Sequence, residues 1–392
     1  MRAIVESIYH VFIYLLFLLL GYFPKKNLLL FESFHGKQYS DNPRALYEYI
    51  REAYPDCQCV WAVKRGYEQP FIAAGVPYVS RLGLRWLFTM PRAQYWIFNT
   101  RMPRWMKKNS STIYVQTWHG TPLKKLGLDI DVVHMPEMET SSYKEDFISE
   151  SQRWDFLISP NTYSTAIFRR AFAFQGTILE TGYPRNDELL DPKKRETAGH
   201  HIRKTLKIPF GKKVLLYTPT WRDDQYFTKG AYRFDNHFPF EELLESNEDM
   251  VILVRLHYLV AETLNLSSYG SRVIDCSRYE DMRGLLTVAD LLITDYSSVL
   301  FDFAITGKPM IFYMYDYQKY EEETRGFYFD PQAVLPGPIV QTKDEVVQQV
   351  ATCLNGSPLE GEERYAAFKE QFIHWPAENS ASQEIMRAIL HG

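Results

Sequence analysis

Five short runs of residues could do chemistry, and each follows an apolar run that reads as a β-strand. The first is Thr117-Trp118-His119-Gly120-Thr121-Pro122-Leu123-Lys124-Lys125, directly after Ile113–Gln116. A histidine followed by Gly and Pro belongs in an exposed turn rather than a core. An imidazole titrating near ~6.5 can take a proton from a hydroxyl at neutral pH. Gly120 lets a ligand approach the backbone closely. The bland alternative is a loop histidine bonded to a carbonyl.

The second run is Arg255-Leu256-His257-Tyr258, closing the predicted strand Val251–Arg255. Arg255 and His257 alternate onto one side, and a fixed cation beside a titratable donor suits a diphosphate. The third is Thr294-Asp295-Tyr296-Ser297-Ser298-Val299-Leu300-Phe301-Asp302. Here a strand gives way to a helix that opens with serines, so free backbone N–H groups and hydroxyls favour an anion. Asp302, one turn after Ser298, suits a hydroxyl of glycerol or ribose. Plain capping by Ser297 or Ser298 is compatible with that reading. The fourth run, Tyr217-Thr218-Pro219-Thr220-Trp221-Arg222-Asp223, offers Thr220 and Arg222 to a phosphate. The fifth, Thr181-Gly182-Tyr183-Pro184-Arg185-Asn186-Asp187, offers Arg185.

Other constellations carry less. Asp129-Ile130-Asp131 has the spacing of a metal-binding acidic pair, but it follows a basic turn and reads as a surface loop. His200-His201 has no ligand partners nearby in sequence. No Walker loop and no dinucleotide glycine fingerprint is present. No site for a metal is expected, no cofactor is required, and Mg²⁺ is at most an assistant. The cysteines Cys57, Cys59, Cys276 and Cys353 form no disulfide ladder and read as reduced thiols.

The elements that must position these runs follow a regular alternation. Predicted strands are Leu28–Glu32, Val60–Val63, Tyr95–Phe98, Ile113–Gln116, Phe156–Ser159 and Ile178–Thr181. They are followed by Val214–Thr218, Val251–Arg255, Arg272–Ile274, Leu291–Thr294 and Met310–Tyr313. Predicted helices include Pro43–Ala53, Tyr163–Ala171, Arg195–Leu206, Tyr279–Thr287 and Ser298–Thr306. Apolar strands alternating with helices mean buried parallel sheets, here two doubly wound Rossmann-like α/β domains facing a cleft. Ligands of such sheets bind beyond the carboxyl ends of the strands. The charged stretch Asp187–Gly211 reads as a linker. The expected division is 1–27 as an apolar helix, 28–190 as the domain carrying the base and 191–392 as the domain carrying the donor. The helical stretch from Lys343 onward caps the second domain or crosses back.

Bulk properties agree. The chain has 392 residues, 46% hydrophobic and 23% charged, with net charge -4, a balance that argues against generic nucleic-acid binding. Charge is uneven: between Gln69 and Leu128 there is no acid, but nine Arg or Lys interleaved with Trp86, Phe88, Trp96 and Trp105. That block favours an anionic lipid surface or substrate. Ile8 to Phe23 is almost unbroken apolar sequence closed by Lys25 and Lys26, short of the ~20 residues that span a bilayer. It reads either as a helix lying in the membrane interface or as a buried first helix.

Taken together, QTWHGTPLKKLG, FESFHGKQYSDNP, TGYPRND, YTPTWRDD, RLHY and DYSSVLFDF resemble the CDP-glycerol glycerophosphotransferases of wall teichoic acid synthesis. The resemblance runs from Leu28 to about Gly337. It implies a glycosyltransferase-B-like fold attached peripherally to the cytoplasmic face of the bacterial membrane. It implies His119 as base and His257 as the group that stabilises the diphosphate. CDP-glycerol is then bound by His119, Gly120, Thr121, Pro122, Leu123, Arg185, Pro219, Thr220, Arg255, Leu256, His257, Ser297, Ser298 and Asp302. Length and hydrophobic start resemble the short members, which extend a primed lipid-linked acceptor. The alternatives are a primase that adds the first unit, a ribitol-phosphate transferase, a nucleotide-sugar transferase and a non-catalytic membrane scaffold.

Overall fold

The structure is a computed structural model that describes residues 2–133, 139–220, 222, 226–228, 231–232, 236–256, 260, 264–323, 326–355, 361–375 and 378–391. It divides into two units. Unit 1 comprises Met1–His119, Leu126–Asp187 and His374–Gly392; unit 2 comprises Gly120–Lys125 and Glu188–Ile373.

The strands of unit 1 are β1 Lys25–Glu32, β2 Gln58–Val63, β3 Tyr78–Ser80, β4 Ala93–Phe98, β5 Ile113–Gln116, β6 Phe156–Ser159 and β7 Thr177–Glu180. They form one sheet in the order β3-β2-β1-β4-β5-β6-β7, with every pairing parallel. Leu28 to Phe31 of β1 are buried without alternation, because helices cover both faces of such a sheet. Strand order reverses between β1 and β4, so the switch point lies beyond Glu32 and Phe98.

In unit 2 the strands are β8 Lys213–Thr218, β9 Tyr226–Thr228, β10 Ala231–Tyr232, β11 Met250–Val254, β12 Val273–Asp275, β13 Leu291–Thr294, β14 Met310–Tyr313 and β15 Ile339–Val340. Six of them form a parallel sheet, β12-β11-β8-β13-β14-β15, while β9 and β10 pair separately and antiparallel. Counted within unit 2 the sheet reads 3-2-1-4-5-6, the order of nucleotide-binding doubly wound folds. Its switch point lies between β8 and β13, where Thr294 Oγ1 donates to Thr218 O at 2.7 Å.

Three local features add to the sequence reading. The stretch expected as a linker contains the helices Asp187–Leu190 and Pro192–Thr205. Asp191 caps the second by accepting from Lys193 N at 2.9 Å and Lys194 N at 3.2 Å, and Pro192 starts it. Its charged face hides a narrow buried stripe, Gly199 and Ile202, packed on the helix Met282–Val288. The edge strands β3 and β15 are three and two residues long, too short to show a period. The C-terminal helix Ala381–His391 belongs to unit 1, where the Asp187 carboxylate accepts from Ala381 N, Ser382 N and Ser382 Oγ at 2.9, 3.0 and 2.6 Å.

The first helix runs Arg2–Gly21 and has two faces. Ile13 and Phe17, one turn apart, are buried, with Phe17 against Trp86 at 5.7 Å. His10 stacks on Trp105 at 5.0 Å, and Arg92 Nε donates to Phe23 O at 3.0 Å. Val11, Phe12, Leu15, Leu19, Tyr22 and Phe23 are exposed. The buried face fits the reading as a buried first helix, and the opposite face is apolar and exposed. Among the described residues no helix is long and apolar enough to cross a membrane.

Candidate functional site

In unit 1, β5 ends at Gln116 and the chain turns at Trp118, whose φ of 50° is left-handed. The indole is buried in an aromatic cluster, 4.6 Å from Phe172 and 6.2 Å from Phe168, which anchors the turn. His119 then stacks on the indole at 4.5 Å. Its Nδ1 lies 2.7 Å from Asn99 O, just past β4. A carbonyl only accepts, so Nδ1 carries the proton and Nε2 keeps its lone pair. Burial lowers the His119 pKa most; the bond to Asn99 O and the Asp41 carboxylate oppose that, while Arg185 and Arg101 add to it. The balance favours the neutral imidazole.

Three residues that sequence reasoning missed hold this arrangement. Asn42 is fully buried and donates from Nδ2 to Thr117 O at 3.2 Å and Trp118 O at 3.1 Å. Its Oδ1 accepts from Arg185 N at 3.3 Å. Asp41 takes Arg185 Nη1 at 2.7 Å and Asn99 Nδ2 at 3.0 Å. Asn99 in turn accepts from Phe34 N at 2.9 Å. The available signal was an Asp-Asn pair opening a helix just after β1; the helix starts at Asp41, ahead of the predicted Pro43.

Backbone strain gathers at the same place. Phe34, His35, Asp41 and Trp118 have φ of 46°, 58°, 66° and 50°. Left-handed backbone costs a non-glycine residue about 1–2 kcal/mol, and such costs concentrate where function requires them. Gly36, at φ 77°, has no alternative: a Cβ there would sit 2.7 Å from Ala62 O. Beside this turn His35 is pushed down to about 4, first by desolvation and then by Arg81, Lys37, His119 and Arg101. Glu32, at the end of β1, is raised to about 7 by burial against the pull of Arg81 at 3.0 Å.

Arg185 has partners within unit 1. It pairs with Asp41, and its Nη1 donates to His119 O at 2.9 Å. Arg222 is likewise committed: it pairs with Asp295 at 2.9 Å and Asp316 at 2.6 Å, with its guanidinium 5.0 Å from the Tyr296 ring centre. Much of the basic block is paired too, Arg81 with Glu32, Arg104 with Asp146 and Lys108 with Asp155. Asp129 forms a bidentate pair with Arg170, as suits a surface loop. Among the described residues no group of three or more His, Cys, Asp or Glu could hold a metal ion.

In unit 2 the strand ends carry a different set. Gly120 to Lys125 belong here. Tyr328 N donates to Leu123 O at 3.0 Å, and Lys125 N to Gly326 O at 3.1 Å. Gly120 lies against the serine turn, so close that a Cβ would stand 2.7 Å from Ser298 Oγ. Thr121, Pro122 and Leu123 are buried. The helix after the serines is only Val299–Ala304, so backbone N–H groups and hydroxyls, rather than a long dipole, would serve an anion. Ser297 Oγ accepts from Val299 N at 3.4 Å, while the Ser298 hydroxyl makes no capping bond. Asp302 is buried.

Across the switch point, Thr220 N donates to Asp295 at 2.8 Å. The buried hydroxyls of Thr218 and Thr220 have no hydrogen-bond partner among the described residues. Pro219 lies between them. Arg255 follows β11 and donates to Tyr279 O, with burial lowering its pKa. Leu256 N donates to Ser277 Oγ at 3.0 Å. His257 and Trp221 lie outside the described residues.

Two parallel sheets, each with polar groups gathered beyond the strand ends at its switch point, define an α/β protein of the glycosyltransferase-B-like kind. The chain belongs to the CDP-glycerol:poly(glycerophosphate) glycerophosphotransferase family, which matches residues 14–391. It is similar to the teichoic acid glycerol-phosphate transferase of Staphylococcus aureus, 47% identical over 96% of this chain and 96% of the relative. The teichoic acid poly(glycerol phosphate) polymerase of Bacillus subtilis is 50% identical over 86% of this chain, which spans 45% of that relative's length. A solved structure of the wall teichoic acid polymerase TagF, a histidine variant soaked with CDPG, is 38% identical. Its TM-score is 0.84, and the match covers 94% of this chain and 90% of that one.

Proposed function

We propose that the chain transfers glycerol phosphate from CDP-glycerol to the terminal hydroxyl of a lipid-linked glycerol-phosphate primer and releases CMP. One observation carries the reading: His119 is held with Nδ1 on Asn99 O, which leaves Nε2 as a lone-pair base. The acceptor hydroxyl gives its proton to Nε2 as its oxygen attacks the phosphorus bearing glycerol. The bond from that phosphorus to the CMP oxygen breaks, and CMP leaves as the anion. The growing charge is met by Arg255, Ser297, Ser298 and the Thr220 hydroxyl, with His257 assigned to the same task by its motif. Positioning and charge stabilisation dominate such phosphoryl transfers. The similarity to the S. aureus glycerol-phosphate transferase, over 96% of both chains, supports transfer of glycerol phosphate.

The first helix supplies the attachment in this reading. Its exposed face, with Leu84 and Phe88 of the adjoining helix Leu84–Thr89, lies on the cytoplasmic membrane surface, and Lys25 and Lys26 meet anionic headgroups. Replacing Phe12, Leu15 and Leu19 with Ser should abolish pelleting with anionic vesicles while leaving the melting temperature unchanged. Undiminished pelleting would remove the attachment. For the reaction, the purified protein is given CDP-glycerol or CDP-ribitol with a primed or unprimed lipid analogue. A product heavier by one or more glycerol phosphates, on the primed acceptor, is expected. A gain of hexose or of ribitol phosphate would overturn the reading.

A further inference from the structure

Asp41 has no part in the sequence motifs as a chemical group, yet it is the hub of the network behind His119. One carboxylate oxygen takes Arg185 Nη1 and its own neighbour Asn42 N, each at 2.7 Å; the other takes Asn99 Nδ2 at 3.0 Å. Both partners then act on His119: Asn99 through its carbonyl on Nδ1, Arg185 through Nη1 on the His119 carbonyl. We propose that Asp41 is the positioning residue of the His119 base, fixing through Asn99 and Arg185 which imidazole nitrogen carries the proton and where the other points. The inference rests on reading His119 as the base.

Helix capping alone does not account for Asp41. A capping carboxylate needs no left-handed backbone, whereas Asp41 holds a φ of 66°. Besides the Asn42 N–H of its own helix, its carboxylate bonds residues 58 and 144 positions along the chain. The side chain is 8% exposed, so its ion pair is shielded from solvent.

Charge gives the proposal a signature that a structural role lacks. The charged and titratable groups facing His119 are Asp41 from the helix Asp41–Ala53, Arg185 after β7, Arg101 after β4 and His35 after β1. Asp41 favours the imidazolium; Arg185 and Arg101 oppose it. Asp41→Asn removes the favourable charge and leaves Arg185, so the acid limb of kcat/KM should move to lower pH. Turnover should fall about 10²-fold with KM for CDP-glycerol nearly unchanged, because a base displaced by an ångström loses about that much. Arg185→Gln, which removes the opposing charge, should move the same limb to higher pH.

The test is the pH dependence of kcat/KM for wild type, Asp41→Asn, Arg185→Gln and His119→Ala, with CDP-glycerol affinity measured in parallel. Opposite displacements in the two network variants support the proposal. An unmoved limb in both, with His119→Ala inactive, overturns it and leaves Asp41 a cap while the base reading stands. A near wild-type rate for His119→Ala overturns the base reading, and the role of Asp41 falls with it. If Asp41→Asn does not fold, Arg185→Gln and the ¹⁵N shifts of His119 in the wild type decide. An Nδ1–H tautomer and an upward limb support the proposal; an Nε2–H tautomer or an unmoved limb overturns it.

Discussion

The two switch points of this molecule are built in opposite ways. Beyond β1 and β4 of unit 1, the groups nearest His119 bond one another: Asp41 with Asn99 and Arg185, Asn42 with two carbonyls, His119 Nδ1 with Asn99 O, while Glu32 Oε1 and Thr100 Oγ1 are buried without a partner among the described residues. In the proposed reading, that leaves Nε2 of the imidazole for chemistry. Beyond β8 and β13 of unit 2, a doubly paired Arg222 braces the turn, while Thr218 and Thr220 keep hydroxyls without partners among the described residues. A buried hydroxyl left unpaired costs about 1–3 kcal/mol, which a ligand that bonds it can return. The contrast teaches a division of labour. In the proposed reading, one network orients His119 Nε2, and the other strand ends offer hydroxyls to the donor.

The contrast can be broken at each end. The largest effect is expected from His119→Ala, with turnover down roughly 10²–10⁴-fold and CDP-glycerol affinity nearly unchanged. Calorimetric titration beside steady-state kinetics would show it, and a matching loss of affinity would make unit 1 a binding site after all. The wild-type pH profile belongs to the same test. A base works when deprotonated, and burial lowers the His119 pKa, so kcat/KM should hold down through pH 6.5 and fall only below it. Activity already falling above pH 7 on the acid side would contradict this.

Next in size is Arg222→Met. Asp295 and Asp316 would lose their partner, and a buried pair broken on one side costs about 3–5 kcal/mol. The loss should appear in denaturant unfolding; a change in KM at unaltered stability would instead make Arg222 a ligand group. The smallest is Thr220→Val, which removes a hydroxyl of little worth to the apo fold. It should raise KM for CDP-glycerol by about 5–10-fold, the value of one hydrogen bond, and leave the pH profile in place. An unchanged KM would mean that the spare hydroxyl is not held for the donor.

Some of this was legible beforehand and some was not. The strand Ile113–Gln116 and the His119 turn are local: an apolar run and the residues that follow it announce their own geometry. The helix Pro192–Thr205 was expected from Arg195 onward, but its charged face outnumbers a stripe of Gly199 and Ile202, and only a partner helix shows which side packs. For Arg185 and Arg222 the sequence shows the cation and not the carboxylate that meets it. For Arg185 that carboxylate lies 144 residues away, for Arg222 73 and 94.

What the sequence by itself determined is the alternation that makes two parallel sheets and the placing of reactive residue types at strand ends. Both depend on neighbours within a few positions, where backbone propensity and hydrophobic period act. What only the tertiary structure decided is which of those residues are spent. Asp41 meets Asn99 and Arg185 because parallel order brings the segments after β1, β4 and β7 to the same, carboxyl-end side of the sheet. A side chain's charge is available to a ligand only if folding has not already neutralised it, and that depends on contacts distant in sequence.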